Sequence, residues 1–488
     1  MVIESLKYKI LQQFGFAPTQ EQGHALDTFV SFLTDRDPQA VMILRGSAGT
    51  GKTSLSGAIV RTLLQIRQKV MLLAPTGRAA KVFSLGSGAP AYTIHRRIYR
   101  EKAFAGVDGQ FSLNDNLYTD TLFMVDEASM IANMGLGGTT FGSGCLLDDL
   151  VKFVYQGHND RLLLIGDKAQ LPPVGEEESP ALSASVMEGY GLKVYECDLN
   201  EVLRQSQSSG ILYNATLIRQ MITHDAVTGL PLIRFKGFAD IVMMPGAELV
   251  ESLGDSYHHV GMDETMVITR SNKRANIYNN GIRNMVLDRE EELSSGDMLM
   301  IVKNNYFWTE KEKKESGEGS AGAVPAFLAN GDRAKVLRVS NYIELYGFRF
   351  ATLLLQLPDY DDHEMQVTGM LDTLQSEAPA LTHEQQEELF RQVEEDYQHF
   401  VPLKADRMKS IRQDAYFNAL QIKYAYAVTC HKAQGGQWAH VYVDQGYMTD
   451  DMLTPDYIHW LYTAFTRATD KLFLVNWPKE QTCEPTDL

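Results

Sequence analysis

The sequence predicts an α/β fold built on parallel sheets, and three observations carry that expectation. Four short apolar runs, Val41–Leu44, Val70–Ala74, Thr121–Val125 and Arg161–Ile165, are rich in Val, Ile, Leu and Met and do not alternate with polar residues. Strands buried on both faces of a parallel sheet have this pattern. Each run ends directly in a polar or glycine-containing motif: GSAGTGKT, PTGRAAK, DEAS and GDKAQ. The same style returns in Thr265–Thr269, Tyr424–Val428, Ala439–Val443 and Lys471–Val475, which predicts a second α/β domain facing the first. Open α/β sheets bind ligands at the carboxyl ends of their strands, so four motifs at four such ends describe one site.

Length and composition agree with this. A chain of 488 residues is too long for one core, which points to roughly two to four domains. Hydrophobic content of 44% and aromatic content of 10% suit packed globular domains. No apolar run approaches the ~20 residues of a membrane span, and the start, MVIESLKYKILQQFGF, lacks the layout of a secretory signal. The cysteines (Cys145, Cys197, Cys430 and Cys483) are scattered without a CxxC pair. The expectation is reduced thiols in a cytoplasmic, monomeric protein, with no membrane partner, metal cluster or disulfide framework. A net charge of −17 weighs mildly against a nucleic-acid partner. A narrow groove is nevertheless free to be locally basic, and much of the acid lies in 372–398, which reads as a solvated helix.

Between the pieces of the second α/β unit lies a long insertion. It holds a charged flexible segment (310–322), then β-type sequence (NGDRAKVLRVSNYIELYGFRFATLLLQL), then the acidic helix at 383–398. A small β-barrel-like module with a helical connection is the expectation. The glycine-rich stretch 133–144 has no strand before it and no Lys-Ser/Thr after it, so it reads as a mobile loop.

The strongest chemical signal is Gly46-Ser47-Ala48-Gly49-Thr50-Gly51-Lys52-Thr53, followed by Ser54 and a helical pattern. Glycines let backbone N–H groups curl around phosphates at a helix N-terminus. Lys52 is expected to reach the β- and γ-phosphates of ATP and Thr53 to ligate Mg²⁺. In FMVDEASM, Asp126 is assigned to the metal and Glu127 to the attacking water. Gln170, in GDKAQLPPV, is the expected phosphate sensor; the two prolines after it end the strand.

Taken in order, the motifs resemble those of superfamily 1 helicases of the 5′-to-3′ branch, the RecD-like and Dda-like group. PTQEQGHA (18–25) looks like the adenine-reading Q motif, with Gln22 as reader; PTGRAAK resembles motif Ia, VDEAS motif II and GDKAQLPPV motif III. LNEVLRQ (199–205) resembles the segment supplying a phosphate-sensing arginine, here Arg204. AYAVTCHKAQGGQW (425–438) resembles motif V, with Gly435 counted toward the nucleotide, and LYTAFTRATDKL (461–472) resembles motif VI, with Arg467. NGDRAKV (330–336) is similar to the entry into an accessory barrel. The resemblance implies a RecA-like domain (1–95 and 119–205), a hairpin insertion (96–118), a second RecA-like domain (206–329 and 420–488) and an SH3-like insertion with the acidic helix (330–419). It also implies an ATP-dependent motor on single-stranded DNA and duplex junctions. Two arginines from distant motifs make sense chemically, because γ-phosphate cleavage spreads charge that a guanidinium fork stabilises.

For the DNA track, backbone grips are expected on both lobes: Thr76, Gly77, Arg78 and Lys81 on the first, then His95 and Arg96, and Thr429, His431 and Lys432 on the second. Asp108-Gly109 flanked by apolar residues signals a hairpin. There the resemblance implies a duplex-splitting pin, with Phe104 or Phe111 as its wedge; a surface hairpin packing its own aromatics fits equally. The rival class is a nucleotide-dependent conformational switch that does not translocate. It would share the P-loop but need neither motif V nor Arg467.

Overall fold

The computed structural model describes residues 2–104, 109–135, 141–202, 208–223, 229–316, 325, 327–449 and 452–483. The first apolar runs become strands because both of their faces are covered. These strands are β1 (Ala40–Gly46), β2 (Lys69–Ala74) and the short β3 (Ala91–Thr93). The chain then leaves the sheet as an antiparallel hairpin, β4 (Tyr99–Phe104) and β5 (Gly109–Leu113). It returns as β6 (Thr121–Val125), β7 (Arg161–Gly166) and β8 (Lys193–Leu199). The sheet order is β3-β2-β6-β7-β1-β8, with every pairing parallel. Every residue of β1, β6 and β7 is buried, and one apolar cluster covers each face. At the sheet edge Arg45 makes a bidentate bond to Asp198 and reaches Glu196, fixing β1 against β8.

The second lobe starts with β9 (Ile241–Met244) and β10 (Thr265–Thr269). A closed barrel follows: β11 (Met298–Ile301), β12 (Arg333–Leu345), β13 (Phe348–Leu357), β14 (His363–Met370) and β15 (Leu420–Tyr424). The chain then completes the second parallel sheet with β16 (Ala427–Thr429), β17 (Trp438–Asp444) and β18 (Ala468–Val475), in the order β16-β10-β17-β18-β9. The fold is thus two RecA-like parallel-sheet lobes, with a hairpin inserted in one and a barrel in the other. One apolar cluster runs from the second sheet into the barrel and takes in Ala169 and Leu171 of the first lobe.

Four expectations change. The run Tyr424–Val428 is not one strand: it breaks after Tyr424, so its start closes the barrel and its end joins the sheet. The barrel therefore draws strands from outside 330–419, at Met298–Ile301 and Leu420–Tyr424. The charged segment from 310 is helical up to Ser316, within Phe307–Ser316, and 317–322 lie outside the described residues. The acidic helix His383–Gln398, opened by a Thr382/Gln385 capping box, is solvated on one face only. Its Leu389 and Val393 pack with Phe350, Met370 and Ile411 across the barrel end and the helix Lys404–Arg412. In the glycine-rich stretch, residues 136–140 lie outside the described residues.

Candidate functional site between the two lobes

The P-loop follows β1 directly. Gly49 (φ 77°) and Gly51 (φ 83°) take left-handed backbone that lets the loop curl. A Cβ on Gly46 would stand 2.8 Å from Lys52 Cγ and 3.0 Å from Leu199 Cβ, so only glycine fits there. The helix Lys52–Gln65 begins with no side-chain cap. Among the described residues the N–H groups of Gly49, Gly51, Lys52 and Thr53 find no partner. Orphan donors at a helix start form an anion site. Lys52 Nζ meanwhile donates to the carbonyls of Gly46 and Ser47 (3.0 Å to the latter), so the loop holds its own lysine where a phosphate would take it. Thr53 and Ser54 are exposed at the helix start, and Thr50 is tied to Ser47 O through its hydroxyl (2.8 Å). Gln22 lies buried against the loop. Its amide donates to Thr50 O (2.9 Å) and accepts from Thr19 N (3.0 Å), so it caps its own helix and braces the P-loop.

At the end of β6, Asp126 is half-buried, and desolvation together with the Glu127 charge pushes its carboxyl up to about 7. Lys52 opposes the shift through its positive charge, as does the Glu127 N–H, which donates to Asp126 Oδ1 (2.9 Å). Glu127 itself takes left-handed backbone (φ 52°), a strained conformation for a non-glycine residue. A carboxyl pushed up this far gains from a nearby cation, and its oxygens together with the exposed Thr53 hydroxyl are the donor type a hard divalent cation takes. After β7, Gln170 is buried and its Oε1 has no hydrogen-bond partner, leaving an acceptor for a water.

The second lobe reaches this site, but not through the residue expected. Arg467 is buried inside its own lobe, donating to Thr463 O (3.1 Å), Gly436 O (3.1 Å) and Thr466 Oγ1 (3.2 Å). The contact to the P-loop comes one turn earlier on the helix Pro455–Phe465. There the Tyr462 hydroxyl donates to Asp167 Oδ2 (2.6 Å) and accepts from Ala48 N (3.0 Å). It also comes from Arg219, on the helix Gly210–Thr223 packed in the second lobe's core, whose Nη1 donates to Ser47 Oγ. Tyr462 lies inside the motif VI-like segment (461–472), where Arg467 carries the signature, and a lone arginine in a helical LIRQM offers no local signal. Arg204 lies outside the described residues.

The expected DNA grips divide. Thr76 caps the helix Gly77–Ser87 through Ala79 N (3.2 Å). A Cβ on Gly77 would collide with Asp332 Oδ1 of the barrel, an oxygen with no hydrogen-bond partner on a carboxyl that burial pushes up to about 7. Arg78 stacks over Trp438 (4.7 Å), donates to Gln437 O (2.7 Å) and lies 3.8 Å from Asp359. Lys81 bonds to Pro358 O and lies 3.7 Å from the same carboxylate. Both cations are thus held by the second lobe rather than standing open. Gly435 sits against motif Ia, its nearest atoms being Ala79 Cβ and Thr76 Oγ1, and not against the P-loop. His431 is exposed, and Lys432 is pushed down to about 8 by burial. Thr429 opens the short helix Cys430–Ala433 without a side-chain bond.

His95 is a correction. It packs between Tyr99 (5.6 Å) and Phe141 (5.0 Å), and burial lowers its imidazole to about 4, so it stays neutral and offers no charge to a phosphate. Arg96 is exposed, over the Tyr92 ring. Phe111 is no free wedge: it stacks on Phe141 (4.6 Å) and Tyr306 (4.8 Å). Phe104 ends β4, and the Asp108 turn lies outside the described residues.

A P-loop touched by side chains from a second parallel-sheet lobe defines the class, a P-loop protein with two RecA-like domains. Residues 18–228 match the AAA domain family and 424–475 the UvrD-like helicase C-terminal domain. The ATP-dependent DNA helicase dda of Enterobacteria phage T4 is 25% identical over 267 residues, 53% of this chain and 55% of its own length. The ATP-dependent RecD2 DNA helicase of Deinococcus radiodurans is 30% identical over 157 residues, 32% of this chain and 18% of its own length. A solved Pif1 helicase from Bacteroides, in complex with ADP-AlF3 and ssDNA, aligns over 96% of this chain and 95% of that one, at 13% identity and a TM-score of 0.46. The chain spans 13%, 18% and 55% of three of the curated relatives it matches. In these matches the chain is similar to the superfamily 1 helicases, the group that holds the RecD-like and Dda-like enzymes.

Proposed function

We propose that this chain is a cytoplasmic motor that hydrolyses ATP between its lobes, moves 5′-to-3′ along single-stranded DNA and separates duplex at junctions. One observation carries the proposal: the same interface joins the P-loop and the strand grips. Tyr462 and Arg219 of the second lobe rest on Ala48 and Ser47, while Gly435 and Gln437 rest on Thr76 and Arg78. Any change in lobe spacing at the phosphates therefore displaces motif V against motif Ia.

In this reading the loop N–H groups and Lys52 take the phosphates, and Lys52 leaves its carbonyl partners to do so. Thr53 and Asp126 would hold Mg²⁺, which would supply positive charge against the phosphates. Glu127 orients and deprotonates the attacking water, and Gln170 senses it through its unpartnered Oε1. Arg219 brings a guanidinium to the developing charge; Arg204 and Arg467 are proposed to join it when the cleft tightens. Gln22 serves the adenine end by holding the P-loop edge. Thr76, Gly77, Arg78, Lys81, Arg96, Thr429, His431 and Lys432 form the strand track. On that track DNA phosphates replace the Asp359 carboxylate as partner of Arg78 and Lys81.

The test uses duplexes with a single tail of either polarity, together with ATPase rates with and without single strands. Unwinding of the 5′-tailed substrate and a large stimulation by single strands are expected, and Lys52→Ala should abolish both. ATP turnover unaffected by single strands would instead mark a nucleotide switch.

A further inference from the structure

Between the hairpin side of the first lobe and the second lobe, with no P-loop residue in its lining, lies a cavity of about 840 Å³. One wall is Phe111 with Phe141; the opposite wall is the segment 302–307 with Lys311 and Lys314, and Lys409 and Arg412 close it from the helix Lys404–Arg412. Five lysine and arginine side chains line it against two carboxylates, Glu310 and Glu315. That surplus stands out in a chain of net charge −17. Lys311, Lys314 and Lys409 are exposed and form no ion pair among the described residues. Lys313, on the same helix as Lys311, has its pKa lowered by burial and by the like charge of Arg96, so the positive field continues toward the hairpin's base.

The walls are also aromatic. Phe141, Phe111, Tyr306 and Phe327 form a continuous column, with successive centroids 4.6, 4.8 and 4.6 Å apart, that bridges the hairpin to the second lobe. Phe307 and Phe417 add further rings to the lining. Unpaired cations recognise any polyanion. Cations interleaved with ring faces suit a polyanion that carries flat apolar groups, and single-stranded nucleic acid is that ligand. None of the lining residues belongs to motif Ia or motif V, so the cavity is separate from the strand track.

We propose that this cavity takes the second strand of a fork, the one the motor does not track, as it leaves the hairpin. The inference rests on the helicase reading above. Phe111 then acts as a pillar that keeps hairpin and second lobe together around the departing strand, and not as a wedge.

The test is Lys311→Ala/Lys314→Ala/Lys409→Ala in the full chain; all three side chains are exposed and outside both the nucleotide site and the track. Affinity is measured across a salt series for a fork with two single-stranded tails and for a duplex with the tracked tail alone. Three lost phosphate contacts lower the slope of log affinity against log salt by about 2, at roughly 0.7 per cation for single strands. The two-tailed fork should bind roughly tenfold more weakly, while the single-tailed duplex and single-strand-stimulated ATPase stay unchanged. Unchanged fork affinity and slope would overturn the proposal, and so would an equal loss on both substrates, which would make the cavity part of the track. Competition by poly-glutamate as strong as by a single strand of equal charge would assign the site to an acidic protein segment and also overturn it. Failure of the helicase reading shows separately, as wild-type ATPase that single strands do not stimulate.

Discussion

Replacing Arg219 with alanine tests the site where structure and sequence disagree most. Its guanidinium leaves the second lobe to meet Ser47 Oγ, and its two terminal nitrogens lie 3.4 Å from Asn200 O. With nucleotide bound, that position is one hydroxyl away from the phosphate cradle. An arginine at a transferring phosphoryl group contributes about 10³–10⁵ in turnover, or about 4–7 kcal/mol at ~1.36 kcal/mol per decade. Arg219 is only half-buried, so solvent weakens its field and brings its contribution to the bottom of that range or below it. Arg219→Ala should lower kcat by about 10²–10³, with KM for ATP changed less than about threefold. Arg219→Lys keeps the charge but loses the fork, and should fall by about tenfold. Steady-state ATPase with saturating oligo-dT, beside equilibrium binding of a fluorescent ATP analogue, separates the two effects. A kcat within about threefold of wild type, with KM raised, would mean that Arg219 only ties Ser47 in the nucleotide-free protein.

Further outcomes follow from other contacts. Burial pushes Lys432 and its neighbour Lys423 down to about 8. Both lose charge as pH rises through that value, so single-strand affinity at fixed ionic strength should fall between pH 7 and 9, by at most about tenfold per pH unit for each proton linked. Lys432→Arg should flatten the curve, and an unaltered profile would remove Lys432 from the track. Tyr462→Phe breaks the link between Ala48 N and Asp167. Stimulation of ATPase by single strands should drop by roughly fivefold or more, as loss of about 1 kcal/mol of coupling implies, with basal turnover kept; full stimulation in the variant would place the coupling elsewhere. Asp297, wholly buried, accepts from Arg283 (3.1 Å), Arg289 (2.6 Å), Tyr426 (2.7 Å) and Ser294 N (2.7 Å) where the barrel joins the second sheet. Asp297→Ala strands two cations and should cost about 3–5 kcal/mol in urea unfolding; a loss under about 1 kcal/mol would contradict that network's role.

What the sequence made legible is what local pattern encodes. Runs such as Thr121–Val125 read as strands because both faces are apolar, and the P-loop read as a phosphate cradle because its glycines and Lys52 are contiguous. Contacts between distant segments were not legible. Arg219 sits in an ordinary helix, and only folding brings it to Ser47, 172 residues away. His95 looked basic beside Arg96 and Arg97, yet Tyr99 and Phe141 enclose it. Tyr424–Val428 read as one strand because Ala425 and Tyr426 are apolar too. In the structure Asn279 takes the N–H groups of Tyr426 (3.1 Å) and Ala427 (2.7 Å), and the chain turns there from barrel to sheet.

The strength of the lobe interface sets what the nucleotide has to do. The segment after β7 is fastened to the second lobe by four hydrogen bonds: Asp167 to Tyr462, Ala169 O to His459 Nδ1 (2.9 Å), Leu171 N to Thr463 Oγ1 (2.8 Å) and Leu171 O to Gln434 Nε2 (2.7 Å). At a net of about 0.5–1.5 kcal/mol each they sum to roughly 2–6 kcal/mol. A ligand needs about 5.5 kcal/mol of differential affinity to carry a two-state equilibrium from one extreme to the other. The fastening therefore falls within the range that gain or loss of a γ-phosphate can overturn. Gln434 is the residue before Gly435, whose backbone lies on Thr76 and Ala79. When the segment after β7 moves, the shift passes through Gln434 to the motif V loop and onto the strand grip within one residue. A chain this short leaves little slack, which is why coupling between phosphate and strand should depend more on Gln434 and Thr463 than on the buried Arg467.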